Sequence, residues 1–156
     1  MRKLDTNKQA IPTDGVLRVL IADDHELMRA GIRTMLSSFP LWNICGEAEN
    51  GREAVQKAEE LKPDLVILDI TMPVLNGIDA AREIHQIAPA IKIIILTMHE
   101  SAQLESAALQ AGADVVLTKR MAASSLANAI DRLMGLGAVV QANLAEDSGS
   151  GSLELN

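Results

Sequence analysis

Aromatic residues are nearly absent from this chain of 156 residues, which has one Trp, one Phe and no Tyr. Proteins that bind single-stranded nucleic acid stack bases on aromatic side chains, so the composition argues against that class. Acidic residues also outnumber basic ones by 21 to 14, which gives a net charge of −7. Such a charge is unsuited to holding a phosphate backbone, and we expect no direct binding to nucleic acid.

Cysteine and long apolar runs are also scarce. Cys45 is the single cysteine, so no intramolecular disulfide is expected, and no Cys/His cluster has zinc-ligand spacing. Residues 1–9 include basic side chains but no apolar stretch of the kind that forms a secretion signal. Apolar runs such as 93–96 fall far short of the roughly 20 residues that cross a bilayer. We therefore expect a cytoplasmic chain without membrane contact.

Five short runs rich in Val, Ile and Leu alternate with segments of helical periodicity. The runs are apolar throughout, which is typical of strands in a parallel sheet that helices cover on both faces. They lie at 16–22, 41–46, 64–70, 92–98 and 113–118. With short right-handed connections, the pattern predicts a doubly wound, flavodoxin-like α/β fold with five parallel strands in the order 2-1-3-4-5.

Apolar stripes at 3.6-residue spacing mark the predicted helices. The first stripe runs from Met28 to Phe39, and Pro40 is expected to end that helix. The fourth stripe consists of Leu104 and three alanines, and Gly112 is expected to cap its helix. We expect one domain over 16–136, with a flexible N-terminal segment at 1–15 and a flexible, linker-like tail at 137–156.

Polar residues follow four of the five predicted strands. Asp23 and Asp24 follow the first strand, Asp69 the third, Thr97 the fourth and Lys119 the fifth, whereas the second strand contributes nothing comparable. Because parallel strands bring their carboxyl ends to one edge of the sheet, these side chains are expected to meet there.

Three carboxylates so close together repel one another and take up protons unless a cation neutralises them. Oxygen ligands without His or Cys favour Mg²⁺ or Mn²⁺ over zinc, and Mg²⁺ usually keeps water and phosphate oxygens in its shell. A carboxylate beside such a metal can attack phosphorus and form an acyl phosphate. Lys119 and the Thr97 hydroxyl would then neutralise the transferred oxygens.

Four segments together resemble the receiver domain of bacterial two-component response regulators. They are DDH at 23–25, PDLVILDITMPVLNG at 63–77, IILT at 94–97 and GADVVLTK at 112–119. The resemblance covers 16–136 and implies that Asp69 accepts a phosphoryl group from a sensor histidine kinase or a phosphotransfer protein. It also implies that Asp23, Asp24, Asp69 and the backbone carbonyl of Thr71 hold Mg²⁺.

The same resemblance implies a phosphorylation-controlled switch. Thr97 matches the hydroxyl that moves onto the new phosphate, and Lys119 matches the ammonium that pairs with it. The switch would change affinity for a downstream protein and would be no turnover enzyme, with at most slow self-dephosphorylation. We hypothesise that the side chains of Thr71 and His99 tune the access of water to the acyl phosphate.

The chain departs from this family at two positions near the fifth strand. Val116 stands where receivers usually carry Tyr or Phe, so transmission through an aromatic side chain is in doubt. Arg120 follows Lys119 where many relatives have Pro. The subgroup with Asp-Asp-His, which is usually fused to a LuxR-type helix-turn-helix domain, tends to lack that proline. The resemblance also allows for a homodimer through helix four, strand five and helix five.

Three alternatives stay open at the level of the sequence. A phosphohydrolase of the haloacid dehalogenase type would need a second Asp two residues after the nucleophile, and Thr71 occupies that position. A receiver-like adaptor that works without phosphate would fit the valine at 116. The chain could also be the receiver half of a LuxR-type transcriptional regulator whose DNA-binding domain is not in this sequence.

Overall fold

The computed structural model describes residues 15–137 of the chain. Strands and helices alternate along it: β1 (Leu17–Ala22), α1 (Glu26–Leu36), β2 (Trp42–Ala48), α2 (Gly51–Leu61), β3 (Leu65–Asp69), α3 (Gly77–Ile87), β4 (Lys92–Thr97), α4 (Ala102–Ala111), β5 (Val115–Thr118) and α5 (Lys119–Met134). All strand pairs are parallel and the sheet order is β2-β1-β3-β4-β5. The predicted doubly wound, flavodoxin-like topology is confirmed.

Helices cover both faces of the sheet, which explains why the strands are apolar throughout. Alternate residues of β1 separate into two cores, with Val19 and Ile21 on one face and Leu20 and Ala22 on the other. The first core is closed by α1 and α5, and the second by α2, α3 and α4. All five residues of the central strand β3 are buried. The polar site therefore begins at the end of a rigid, dehydrated platform.

The first helix ends earlier than its apolar stripe predicts. Its last residue is Leu36, four residues before Pro40, and Ser37 is its C-cap. Phe39 lies in the following turn and stacks on Trp42 with ring centroids 4.1 Å apart. Phe39 therefore packs against the core as its spacing suggested, but from a turn rather than from the helix.

The fourth helix contacts the sheet less than its stripe predicts. Only Ala108 and Ala111 are buried, whereas Leu104 is 37% exposed and Leu109 is 46% exposed. Small side chains let the helix lie close to the sheet and leave its larger ones towards solvent. The predicted cap is present, because Gly112 has a φ of +117°, a conformation that favours glycine.

Two strand limits differ from the predicted ones by two residues, and the other differences are of one residue. The second strand continues to Ala48, two residues beyond its predicted end. The fifth strand begins at Val115, and Lys119 is already the first residue of α5. Between residues 15 and 137 no helix combines the length and the apolar character that a membrane crossing requires. The predicted flexible ends lie almost wholly outside the described residues and stay predictions.

Candidate functional site

The pairing of the strands places the predicted site residues side by side. Ala22 pairs with Leu68 in the β1–β3 ladder, so the next residues, Asp23 and Asp69, lie together at the carboxyl edge. In the β4–β5 ladder Thr97 pairs with Thr118, the residue before Lys119. This edge lies where the strand order reverses, which is the usual ligand position in open α/β sheets.

Two buried carboxylates share one ammonium group at this edge. Asp23 is 1% exposed and Asp69 is 3% exposed. Lys119 Nζ lies 2.9 Å from Asp23 Oδ2 and 3.3 Å from Asp69 Oδ1. The structure therefore brings together three of the predicted residues that are far apart in sequence.

Asp24 and His25 complete the cluster from the start of α1. One ligand atom from each of Asp23, Asp24, His25 and Asp69 lies within 4.8 Å of all the others. Asp24 and His25 are exposed, whereas the two other aspartates are buried. The site is thus an acidic pocket with a dry floor and a wet rim, and it has the groups to hold a metal ion.

The electrostatics of the pocket favour a cation. Burial raises the pKa of the Asp69 carboxyl, the Asp23 carboxylate raises it further, and Lys119 opposes the rise. For Lys119, burial acts to lower the pKa, but Asp23 and Asp69 outweigh it and the pKa is raised. One ammonium is therefore held firmly in its charged form, and it does not fully offset the repulsion between the carboxylates.

The loop after Asp69 is shaped by close backbone contacts. A side chain at Gly77 would place its Cβ 2.1 Å from the Asp69 carbonyl oxygen, so only glycine fits there. The N–H of Thr71 donates to Asp69 Oδ1 at 3.4 Å. Val74 has a φ of +72°, which costs roughly 1–2 kcal/mol for a residue with a Cβ. The loop is thus held in a strained shape beside the carboxylate.

The structure places Thr97 at the site but with its hydroxyl engaged elsewhere. The Thr97 Oγ1 donates to the backbone carbonyl of His99 at 3.1 Å, and the His99 N–H lies 3.3 Å from the same oxygen. The part of Thr71 that the structure joins to the site is its N–H. The roles predicted for the Thr97 hydroxyl and the Thr71 carbonyl stay predictions.

An open cavity of about 640 Å³ leads to the pocket. Its walls include Asp69, Lys119, Thr71 and His99, together with the apolar side chains of Leu27 and Met98. Leu27 is 87% exposed and Met98 is 62% exposed. The buried carboxylate is therefore reached from solvent through an opening that these two apolar side chains line together with polar ones.

Sequence reasoning missed Arg29, a buried cation behind the acidic pocket. Its Nη1 donates to the backbone carbonyl of Asp23 at 2.6 Å and its Nε to Glu47 Oε1 at 3.0 Å. Its Nη2 also donates to Glu26. Glu47 of β2 thus supports the pocket indirectly through Arg29, whereas the cluster of possible ligands among residues 15–137 consists of Asp23, Asp24, His25 and Asp69.

A signal for Arg29 was present in the sequence. It stands three and seven residues before Ile32 and Leu36, so it lies on the buried face of α1. A charged residue on that face needs a partner. Glu47 was a candidate because it is the one charged residue in β2.

Fold and site together define an α/β domain with an acidic pocket at the switch point of its sheet, and the comparisons with known proteins agree. The profile described as "Response regulator receiver domain" matches residues 19–131. The chain belongs to the response regulator receiver domain family, the signal-receiving part of two-component systems.

Three similar proteins illustrate this relationship. The chain is 41% identical to the chemotaxis protein CheY of Thermotoga maritima, over 74% of this chain and 96% of that protein. It is 38% identical to the response regulator GacA of Pseudomonas viridiflava, over 74% of this chain and 54% of that protein. The structure of a CheX–CheY–BeF3–Mg complex from Borrelia burgdorferi is similar with a TM-score of 0.73 and 27% identity, over 81% and 97% of the two chains. The chain thus spans about half the length of the curated GacA-type relatives it matches.

Proposed function

We propose that this chain accepts a phosphoryl group on the carboxylate of Asp69, with Mg²⁺ bound beside it, and that the phosphorylated form changes its affinity for a protein partner. The observation that carries the proposal is the pairing of two buried carboxylates, Asp23 and Asp69, around the ammonium of Lys119. A structural role alone gives no reason to bury two like charges at the end of a strand.

The residues of the pocket fit a hard divalent cation. Asp23 Oδ2 is buried and accepts no hydrogen bond of good geometry, so that its polar contact is the ion pair with Lys119. Asp23, Asp24 and Asp69 offer oxygen ligands, which Mg²⁺ prefers. When bound, Mg²⁺ would supply positive charge against the phosphoryl oxygens. The Borrelia burgdorferi relative is described as a complex with BeF3 and Mg²⁺, which supports the same ligand here.

The chemistry proposed for Asp69 is a phosphoryl transfer. An oxygen of its carboxylate attacks the phosphorus of a phosphohistidine, the P–N bond breaks as the P–O bond forms, and the histidine leaves with the electron pair. The ammonium of Lys119 lies 3.3 Å from Asp69 Oδ1 and would neutralise charge on the transferring oxygens. The donor would be a sensor histidine kinase or a phosphotransfer protein in the cytoplasm.

Phosphorylation would act as a switch through Thr97. A phosphoryl group adds about −1.5 to −2 charges and three strong acceptors beside a hydroxyl that now bonds to the His99 backbone. If the Thr97 hydroxyl released the His99 carbonyl and bonded to the phosphate, the conformation of the β4–α4 connection would change. Val116, half-buried in the adjoining strand, stands where many relatives carry an aromatic side chain, so the change would pass through the backbone and α4 rather than through a rotating ring.

The surface that would carry the signal is the face of α4, β5 and α5. Leu104, Leu109 and Met121 are exposed on this face, which suits a protein partner or a second copy of the chain. The match covers 54% of the GacA relative, and another relative is described as a DNA-binding response regulator of the LuxR family. If this chain is the receiver part of such a regulator, the switch would also act on a DNA-binding domain.

The acyl phosphate would be lost slowly to water, which makes the protein a switch and no turnover enzyme. Thr71 and His99 line the cavity over Asp69, which supports a role for their side chains in controlling the access of water. Substituting either residue with Ala should change the lifetime of the phosphorylated form, and unchanged lifetimes in both variants would remove this tuning role.

The test is the intact mass of the protein after incubation with acetyl phosphate, with and without Mg²⁺. We expect one added phosphoryl group in the wild type with Mg²⁺, and none without Mg²⁺ or in Asp69→Asn. Asp114→Asn is the matched control, because Asp114 lies at the opposite edge of the sheet, and it should be phosphorylated normally.

A mass gain that survives Asp69→Asn would overturn the site. No gain in the wild type under any condition would favour the adaptor that works without phosphate. Continued turnover of small phosphate esters would instead revive the phosphohydrolase.

A further inference from the structure

His25 lies against the acidic pocket, and the proposed function leaves it without a role. Its Nδ1 is 3.1 Å from Asp24 Oδ1 and 3.3 Å from Asp23 Oδ1. The side chain is 70% exposed, so its other ring nitrogen is free to face water. His25 is the N-cap residue of α1, but its side chain does not cap the helix.

The backbone holds His25 in this position. Its N–H donates to Asp23 Oδ1 at 2.9 Å, which ties the residue to the same carboxylate that its ring approaches. The guanidinium of Arg29 in turn fixes the Asp23 carbonyl from behind. The ring is therefore attached to a part of the pocket whose main chain is anchored on two sides.

The spacing of these atoms is that of neighbouring ligands around one ion. With metal–ligand bonds of about 2.1 Å, adjacent ligands of an octahedral ion lie about 3 Å apart. The distances from His25 Nδ1 to the two carboxylate oxygens are 3.1 and 3.3 Å. Asp69 also has a ligand atom within the same 4.8 Å cluster.

A second observation points to a cation at this place. Asp23 is 1% exposed, and its Oδ2 accepts no hydrogen bond of good geometry. A buried carboxylate oxygen in that condition is costly, and the ion pair with Lys119 satisfies only one direction around it.

We infer that His25 adds a nitrogen ligand to the acidic pocket, so that the pocket binds transition-metal dications that favour imidazole, with Ni²⁺ as the representative probe, through a contact that Mg²⁺ does not use. The inference rests on the metal pocket of the proposed function. Imidazole suits nickel, zinc, copper and iron, whereas Mg²⁺ takes oxygen ligands. His25 would thus increase the preference of the pocket for such ions over Mg²⁺.

Tighter binding of Ni²⁺ to the wild type is no test, because Ni²⁺ binds most sites more tightly than the earlier divalent metals. The measurement is the factor by which the affinity for each ion falls when the imidazole ring is removed. We would titrate the untagged full chain and its His25→Ala variant with Ni²⁺ and with Mg²⁺ separately, by calorimetry at one fixed pH.

We expect His25→Ala to weaken Ni²⁺ binding about tenfold or more beyond any loss of Mg²⁺ binding, which is the scale on which ligand-shell changes act. The d–d absorption of bound Ni²⁺ should also change, since a nitrogen ligand is replaced. His85→Ala is the matched control, because His85 lies on α3 outside the ligand cluster, and it should keep the wild-type ratio of the two affinities. His25→Gln serves as a second variant if His25→Ala is poorly folded.

Equal losses for the two ions, or a Ni²⁺ affinity that falls as much in the His85→Ala control, would overturn the inference. The proposed function is tested separately by the wild type and Asp69→Asn. If the wild type binds Mg²⁺ and is phosphorylated, but the Ni²⁺ affinity is the same in the wild type and in His25→Ala, only the inference about His25 fails. If the wild type binds neither ion, the metal pocket itself fails.

Discussion

At the amino edge of the sheet two carboxylates, those of Asp64 and Asp114, each accept a backbone N–H, whereas at the carboxyl edge two carboxylates face one another. Asp64 Oδ2 accepts the N–H of Arg18 at 2.8 Å, and Asp114 Oδ2 accepts the N–H of Ile93 at 2.8 Å. Asp23 and Asp69 instead share the ammonium of Lys119.

The difference separates carboxylates that stabilise the fold from carboxylates whose burial opposes folding. A charge-assisted hydrogen bond to a backbone N–H contributes about 1.5–3 kcal/mol. Two buried carboxylates beside one ammonium oppose folding, because burial and mutual repulsion raise the pKa of Asp69. The unfavourable electrostatic interactions thus lie at the carboxyl edge, where a bound cation would reduce them.

Arg29 tests whether position or pairing makes the difference, since it is a fully partnered charge at the carboxyl edge. Arg29→Met would leave the Asp23 carbonyl without its buried donor, while Glu47 would keep its contacts with Arg33. We expect a loss of about 3 kcal/mol in the free energy of unfolding, as when a buried polar group loses its charged partner. Urea denaturation measures this loss.

Arg33→Met is the matched control for Arg29. Arg33 binds the same two glutamates, Glu26 and Glu47, but its side chain is 37% exposed. Its loss should cost about 1 kcal/mol or less, as for an exposed ion pair. Similar costs for the two variants would show that burial of Arg29 does not decide its contribution.

Asp114 gives the next largest effect, at the amino edge. Asp114→Ala removes the acceptor of the Ile93 N–H, and we expect a loss of about 1–3 kcal/mol. Asp114→Asn keeps an acceptor oxygen and should lose less, and both variants should still accept a phosphoryl group from acetyl phosphate. A large loss of phosphorylation in either would mean that the two edges are coupled.

The sequence predicts those parts of the molecule that depend on pattern. The strand order follows from apolar runs joined by short helices, and the meeting of Asp23, Asp69 and Lys119 follows from their places after strands. What it misses depends on tertiary contact. Leu104 has the spacing of a buried residue, yet α4 meets the sheet through alanines.

The hydrogen bonds of side chains are the other part that spacing does not reveal. The Thr97 hydroxyl is held by the His99 backbone, and the ring of His25 turns to the carboxylates rather than capping α1. In both cases the side chain has several possible partners nearby, and the spacing of apolar residues in the sequence does not indicate which partner it binds.

The smallest expected effect has the opposite sign, because Asp69→Asn should stabilise the protein. At neutral pH without divalent metal we expect a gain of about 1 kcal/mol, the scale typical of relieving strain at a functional site. The pKa of Asp69 is raised in the fold, so its carboxyl favours folding when protonated, and that contribution is lost as pH rises through the raised pKa.

Asn stays neutral throughout, so the advantage of the Asp69→Asn variant should be absent below about pH 3.9, the ordinary pKa of Asp, and grow as pH rises from there. On the proposed function, Mg²⁺ would bind the folded wild type and would reduce this difference in stability by mass action. Thermal unfolding of both proteins in EDTA and in Mg²⁺, across this pH range, measures the difference. If the wild type is instead more stable than Asp69→Asn at neutral pH in EDTA, the attraction of Lys119 outweighs the cost of burying the two carboxylates. The two edges of the sheet would then not differ in their contribution to stability.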